Sequence, residues 1–320
     1  MPHSACNCQC VMCDIWKGNK QLKQLGEEDI RGLLETLKKF HTREVVMSGG
    51  EAILNQNFFL FCEILKAQGI HVVLLSTGLT LERHAKSLLK WTSEIIVSLD
   101  GDEACHDRIR NIPGAFKKLK KGVQTINMLD PHFRITGRSV IHRSNFRYWA
   151  SIVSAAKEIG LRQISFLPAD VSSQAFNRPE PWNVERQHEI MLGMDDLDEL
   201  LSVIQQLEIL NAKDFESGFI AESPEKLHKI HEYYGAFYGL NPFPFKKCNA
   251  PWVSTVVEAD GTVRPCFFHD AIGNIRSQSL ESILNSENAV SFRRNLDMKT
   301  NSTCTHCVCS LYLPAWRNPV

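Results

Sequence analysis

Short runs rich in β-branched and apolar residues recur through the first half of the chain, at 44–48 (EVVMS), 71–77 (HVVLLST), 94–100 (EIIVSLD), 134–141 (RITGRSVI) and 163–168 (QISFLP). Between them apolar positions fall at helical spacing, over 27–40, 58–68, 81–91, 115–128 and 148–159. Buried strands alternating with amphipathic helices predict βα units and a parallel sheet. Gly69 and Gly160 stand where helix C-caps belong, just ahead of the next strand. Five or six such units suit an open or partial βα barrel better than a closed eightfold one. From Pro168 the rhythm changes. A polar connector, DVSSQAFNRPEPWN, leads to helical runs near 195–210 and 224–238, and NPFPF makes a Pro-rich break before Cys248. Two β-rich runs around Asp260-Gly261 then predict a hairpin, and a helix near 280–296 precedes a terminal cysteine cluster.

Composition narrows the function classes. With 36 Lys+Arg against 36 Asp+Glu the net charge is zero, which argues against holding nucleic acid by bulk charge. No run approaches the roughly 20 apolar residues of a membrane span. The opening MPHSACNCQC lacks a secretory signal, so a cytoplasmic location is expected. There are 11 cysteines, and nine fall within the first 13 or the last 73 residues. Clustered thiols in a reducing compartment bind metal or do chemistry. Two metal-binding ends around a fold-building middle are therefore expected.

At the first end, Cys6, Cys10 and Cys13 form C-x3-C-x2-C. Three thiolates on a short loop can hold three irons of a 4Fe–4S cubane and leave the fourth open to a ligand. A structural zinc site with Cys8 as fourth ligand is the alternative. Ser48-Gly49-Gly50-Glu51 closes the first expected strand, at the edge where βα folds place active sites. Its glycines let backbone approach a ligand, and its carboxylate can receive an ammonium group.

The cysteine loop, the Gly-Gly-Glu turn some 35 residues on and the βα rhythm together resemble a radical S-adenosylmethionine (SAM) enzyme. The resemblance implies a 4Fe–4S cluster on Cys6, Cys10 and Cys13, whose open iron chelates the amino and carboxylate groups of SAM. One electron then cleaves the sulfonium, and the 5′-deoxyadenosyl radical abstracts hydrogen from a substrate. Glu51, with the backbone of Gly49 and Gly50, would receive the methionine ammonium. By the extended signature Ser98-Leu99-Asp100-Gly101 and His106 to Arg110, Ser98 and Arg110 would meet the cofactor's carboxylate and ribose. Met12 and Leu167 would flank its adenine. An external electron donor such as flavodoxin or ferredoxin is implied, and a small-molecule or peptide substrate.

At the second end, a hairpin plus a distant C-x2-C suits tetrahedral zinc as well as iron–sulfur. Here the resemblance separates them. C-x12-G-x4-C over 248–266, a helix region containing Ile272-Gly273-Asn274-Ile275, and Cys304-x2-Cys307 look like the SPASM/Twitch extension of radical enzymes. Full SPASM modules use seven cysteines for two auxiliary clusters, whereas five follow residue 247. One auxiliary 4Fe–4S cluster on Cys248, Cys266, Cys304 and Cys307 is expected, with Cys309 an alternative to Cys307 or a buried thiol. Cys62 reads as core, and Cys105 is left without a role.

The expected fold is thus α/β, a partial (β/α)6-type radical SAM barrel with a small C-terminal hairpin-plus-helix cluster-binding domain. The barrel would span 1–185, a helical connector or cap 186–245, and the auxiliary domain 246–320. Ala52 follows the Gly-Gly-Glu turn where relatives usually carry proline. Only five residues precede Cys6, where relatives have a full strand, so the natural start is expected upstream of Met1. The rival from another class is a zinc-binding interaction protein without redox catalysis.

Overall fold

Strands β1 (Glu44–Met47), β2 (His71–Ser76), β3 (Glu94–Ser98), β4 (Ile135–Ile141) and β5 (Ile164–Pro168) lie side by side in chain order, every neighbour parallel, in a computed structural model that describes residues 1–314. Helix α1 (Glu27–Lys39) precedes β1. The crossovers are α2 (Phe58–Lys66), α3 (Leu81–Trp91), the pair α4 (Glu103–Arg110) and α5 (Ala115–Leu129), and α6 (Trp149–Ile159). The two faces of the sheet differ as period-2 alternation requires. Ile95 and Val97 of β3 and Ile135 and Ile141 of β4 are wholly buried, whereas Ile96, Ser98, Val140 and Leu167 are half-buried and Arg138 is exposed. The helices press on the first face: α3 buries Leu81, Ala85 and Leu88 along one stripe.

Each expected strand and crossover helix is present, and Gly69 and Gly160 end their helices at positive φ. The sixth unit is reduced to a single parallel bridge, Ile164 to Ile220. Gly218 turns the chain just before it and Pro224 starts a helix just after, so no longer strand fits. Helix α4 was unforeseen because its buried face is Cys105, His106, Ile109 and Arg110, which carries no apolar stripe. Asp102 caps it, its side chain accepting the Cys105 N–H at 2.9 Å.

Beyond β5 come α7 (Val184–Ile190), α8 (Leu197–Leu210), α9 (Ala212–Glu216) and α10 (Pro224–Ala236). Fully buried Tyr234 pins α10 to the ends of two strands: its hydroxyl donates to Ile141 C=O at 2.5 Å and accepts the Ala169 N–H at 3.0 Å. The last part holds α11 (Ala250–Val253), the antiparallel sheet β6 (Val256–Val257), β7 (Thr262–Arg264) and β8 (Gly273–Asn274), then α12 (Leu280–Leu284), α13 (Glu287–Asn295) and α14 (Ser302–His306). The hairpin turns at Asp260-Gly261 as expected. The helix expected over 280–296 is broken in two, because Ser286 caps a new helix by accepting the Ala289 N–H.

Candidate active site

The N-terminal cysteine loop is held chiefly by backbone. Gln9 and Val11 N–H groups donate to Arg110 and Ile109 C=O at 3.1 and 3.0 Å, and the Glu51 N–H donates to Ala5 C=O at 2.8 Å. Asn19 clamps Cys6 twice, accepting its N–H at 3.0 Å and donating to its C=O at 2.9 Å. The two glycines of the turn serve this packing. A Cβ on Gly50 would stand 2.1 Å from Ala5 O and 2.9 Å from the Cys6 Cβ, and one on Gly49 would stand 2.9 Å from His3 O. Their first task is to let the cysteine loop lie against the end of β1.

Burial pushes the Cys6 thiol up to about 11 and the Cys13 thiol up to about 12. Cys10 is pulled down to about 6, first by a hydrogen bond from Cys8, with Arg110 adding to the effect. Cys8 itself is buried, and its neighbour Cys10, together with burial, pushes its thiol upward. Sequence reasoning gave Cys8 no role beyond a zinc alternative.

Glu51 is wholly buried at the floor of the site. Its Oε2 accepts from Thr77 N–H at 2.8 Å, Thr77 Oγ1 at 2.7 Å and Ser76 Oγ at 3.0 Å, while Oε1 is buried without a partner. Desolvation raises this carboxyl above its ordinary value despite those donors. A buried acceptor with one unanswered oxygen is what an ammonium group requires.

Ser98 ends β3, half-buried, in register with Arg138 of β4. Arg110 is buried. Its Nη2 pairs with Asp100 Oδ2 at 2.5 Å and its Nη1 donates to Cys10 Sγ at 3.5 Å, leaving Nε buried without a partner. Asp100, the third residue of the Ser-Leu-Asp-Gly run, was not singled out from the sequence, and it fixes the guanidinium beside the cysteine loop. His106 and His142 surround this pair, both pushed down to about 3 by burial and then by Arg110, so neither adds positive charge. Met12 is packed into the hydrophobic core, and Leu167 is half-buried on β5.

The connector that follows β5 reaches both cysteine-rich ends. Trp182 Nε1 donates to Asp14 Oδ2 at 2.7 Å, next to Cys13. Arg178, paired with Asp170 at 2.6 Å and wholly buried, stacks 3.7 Å over the Trp182 ring and 5.3 Å from Phe176. Phe176 meets Phe267 edge-on at 5.1 Å, one residue after Cys266. Phe176 and Asn177 both take left-handed backbone, φ 62° and 63°, which non-glycine residues adopt only where surroundings hold them.

At the far end, Cys248, Cys266, Cys304, Cys307 and Cys309 line one cavity together with Lys246 and His269. All the described cysteines are free thiols. Burial raises Cys304 to about 11, and the neighbouring Cys266 and Cys248 push the same way. Cys309 lines this cavity beside the four cysteines expected as ligands. His269 was also missed by sequence reasoning: a ring nitrogen lies 3.3 Å from Cys304 Sγ. Among the described residues no three Cys, His, Asp or Glu groups close tightly enough to clamp a single ion. Thiolates are the ligands that iron–sulfur clusters take, and five cysteines line this one cavity. Among the described residues no helix is long and apolar enough to cross a membrane.

Residues 2–143 match the family model of the Radical SAM superfamily, and residues 248–308 match that of SPASM, an iron–sulfur cluster-binding domain. The cysteine-type anaerobic sulfatase-maturating enzyme of Clostridium novyi is 24% identical over 95% of this chain and 82% of its own. The AdoMet-dependent heme synthase of Methanosarcina barkeri is 25% identical over 92% and 82%. Among solved structures, anSMEcpe with bound AdoMet and the Cp18Cys peptide aligns at TM-score 0.65 and 18% identity, over 95% of this chain and 85% of that one. Streptococcus suis SuiB bound to precursor peptide SuiA aligns at 0.61 and 13%, over 97% and 70%.

Proposed function

The chain belongs to the radical SAM superfamily and carries a C-terminal SPASM domain, and from that premise we propose that it takes a hydrogen atom from a small organic molecule or a peptide, with one auxiliary cluster assisting. It is an enzyme, with a SAM-binding 4Fe–4S site and an auxiliary iron–sulfur site. When bound, the active-site cluster and SAM supply reductive sulfonium cleavage and a carbon radical that abstracts hydrogen. The observation that carries the residue assignment is the unanswered, buried Oε1 of Glu51 beside the cysteine loop.

In this reading Cys6, Cys10 and Cys13 hold the active-site cluster. Glu51 accepts the methionine ammonium, and the Gly49-Gly50 backbone keeps the loop close enough for both contacts. Ser98 lies on the open face of the sheet toward the cofactor's carboxylate and ribose. Arg110, oriented by Asp100, presents positive charge beside Cys10 and toward the same carboxylate. Leu167 and Met12 supply apolar surface for the adenine. Cys248, Cys266, Cys304 and Cys307 hold the auxiliary cluster, whose place near the substrate suits uptake of an electron in a two-electron oxidation. The barrel at 1–185 bears the chemistry, and the helical segment at 186–245 covers its mouth. A reduced flavodoxin or ferredoxin delivers the first electron, in the cytosol, where thiols stay reduced.

The substrate class is tested by label transfer. A cell extract grown on deuterated carbon sources is separated by size into small molecules and peptides, and each fraction is incubated with enzyme, unlabelled SAM and reductant. Deuterium should appear in 5′-deoxyadenosine from one fraction. Ample 5′-deoxyadenosine without label from either fraction would contradict hydrogen abstraction from both classes.

A further inference from the structure

We infer that His269 is a positioning residue of the auxiliary site: its Nε2–H donates a hydrogen bond to the Cys304 sulfur and holds the reduction potential of the cluster up. The inference rests on the assignment of Cys304 as a cluster ligand.

The site is built for this bond. His269 is buried, at 8% exposure, and its Nε2 stands 3.3 Å from Cys304 Sγ, within reach of a hydrogen bond to sulfur. The ring is fixed from one side by Phe292, edge-on at 4.8 Å and 67°. Its backbone is fixed from the other, where Arg264 Nη1 donates to the His269 C=O at 3.0 Å. Arg264 is itself tied to Glu258 across the hairpin at 2.8 Å. The imidazole is thus held by β7 and α13 and aimed across the cavity at a cysteine that lies 35 residues further along the chain.

The direction of the bond follows from chemistry. A sulfur that ligates iron has lost its proton and offers only lone pairs. The imidazole must then be the donor, through the nitrogen that faces the sulfur. Reduction adds negative charge that spreads onto the ligand sulfurs. A donor aimed at one of them stabilises the reduced state more than the oxidised one, and hydrogen bonds to sulfur are among the levers that set cluster potentials. Here the lever is a side chain, so one substitution can remove it.

The test uses a chain in which Cys6, Cys10 and Cys13 are all replaced by Ala, so that only the auxiliary cluster gives a signal. In that background His269→Phe and His269→Gln are compared with the parent by iron and sulfide counting and by a redox titration followed by electron paramagnetic resonance. Iron should be unchanged in both. For His269→Phe the reduced-to-oxidised ratio at a fixed potential should fall about tenfold, which is 59 mV for a one-electron couple. His269→Gln, which keeps a donor, should recover part of that shift. An unchanged ratio in His269→Phe overturns the inference. Loss of iron in His269→Gln as well as His269→Phe also overturns it, because His269 would then be a ligand. Cys304→Ala in the same background separates the two levels: retained iron there means that the ligand assignment has failed.

Discussion

The two cysteine-rich ends solve different problems with the same side chain. At the N-terminal end the loop is tied down by backbone, and the polar groups around it are deliberately incomplete. Glu51 Oε1 and Arg110 Nε are buried without partners, although Glu51 Oε2 accepts three hydrogen bonds and Arg110 pairs with Asp100. At the C-terminal end five thiols and an imidazole line one cavity, more sulfur than a four-iron cluster needs. Buried polar groups left unanswered, as at the first end, suit a site that takes a charged organic ligand. A surplus of ligands describes a closed centre that handles electrons. Unmet hydrogen bonds, more than the number of cysteines, distinguish the two ends.

Substitutions can break this division, beginning with the largest effect. Cys10→Ala should abolish 5′-deoxyadenosine formation and remove about half the iron, leaving the auxiliary cluster spectroscopically intact. Retained cleavage would mean that the N-terminal loop is not the reactive end. Cys266→Ala should remove the other half of the iron and leave cofactor cleavage in the absence of substrate within about twofold. A matching loss of cleavage would show that the two ends are not independent.

Gly50→Ala probes the packing beneath the first site. Its methyl would enter the space of Ala5 O, and overpacking of this kind costs about 1–3 kcal/mol. Thermal stability should fall, and SAM binding with it. Full stability in calorimetry would show that the loop does not lie against the turn.

Glu51→Gln sharpens the comparison differently. Hydrogen bonds to charged groups contribute about 1.5–3 kcal/mol, so SAM affinity by equilibrium dialysis should weaken roughly 10–150-fold. The folded apo-protein should gain. Burial raises this carboxyl, so between its unfolded value of 4.5 and the higher folded one the native state binds the extra proton. Stability contributed by Glu51 is therefore lost as pH rises through that window, and the Gln variant should lack this slope in denaturant titrations.

The smallest effect is expected at the bridge between the ends. Trp182→Phe keeps the surface under Arg178 and loses the bond to Asp14, a cost of about 1 kcal/mol. Cleavage should drop only a few-fold, with both clusters in place by iron count.

How much of this could be read from the sequence depended on the kind of signal. Strands such as 94–98 and helices such as 81–91 carry period-2 or period-3.6 patterns, and these are properties of neighbours in the chain. Helix α4 carries no such pattern, because its buried side includes His106 and Arg110, whose partners Asp100 and Cys10 lie elsewhere in the chain. The short strand β8 has only two residues, too few for any periodicity to register. In the site, the cysteines and Glu51 were legible through motif and spacing. Cys8, Asp100, Arg178 and His269 were not, since the part of each shows only through the side chain it meets in the fold, Arg110 for Asp100, Trp182 for Arg178 and Cys304 for His269. His269 sits three places after Cys266, and that was the one available hint that it belongs to a cysteine site.

The most direct test of the central claim is 5′-deoxyadenosine production from SAM by anaerobically reconstituted, chemically reduced protein. The account predicts slow production without added substrate, abolished by Cys13→Ala and retained in Cys266→Ala. Absence of production from protein shown to hold both clusters and to bind SAM would contradict it.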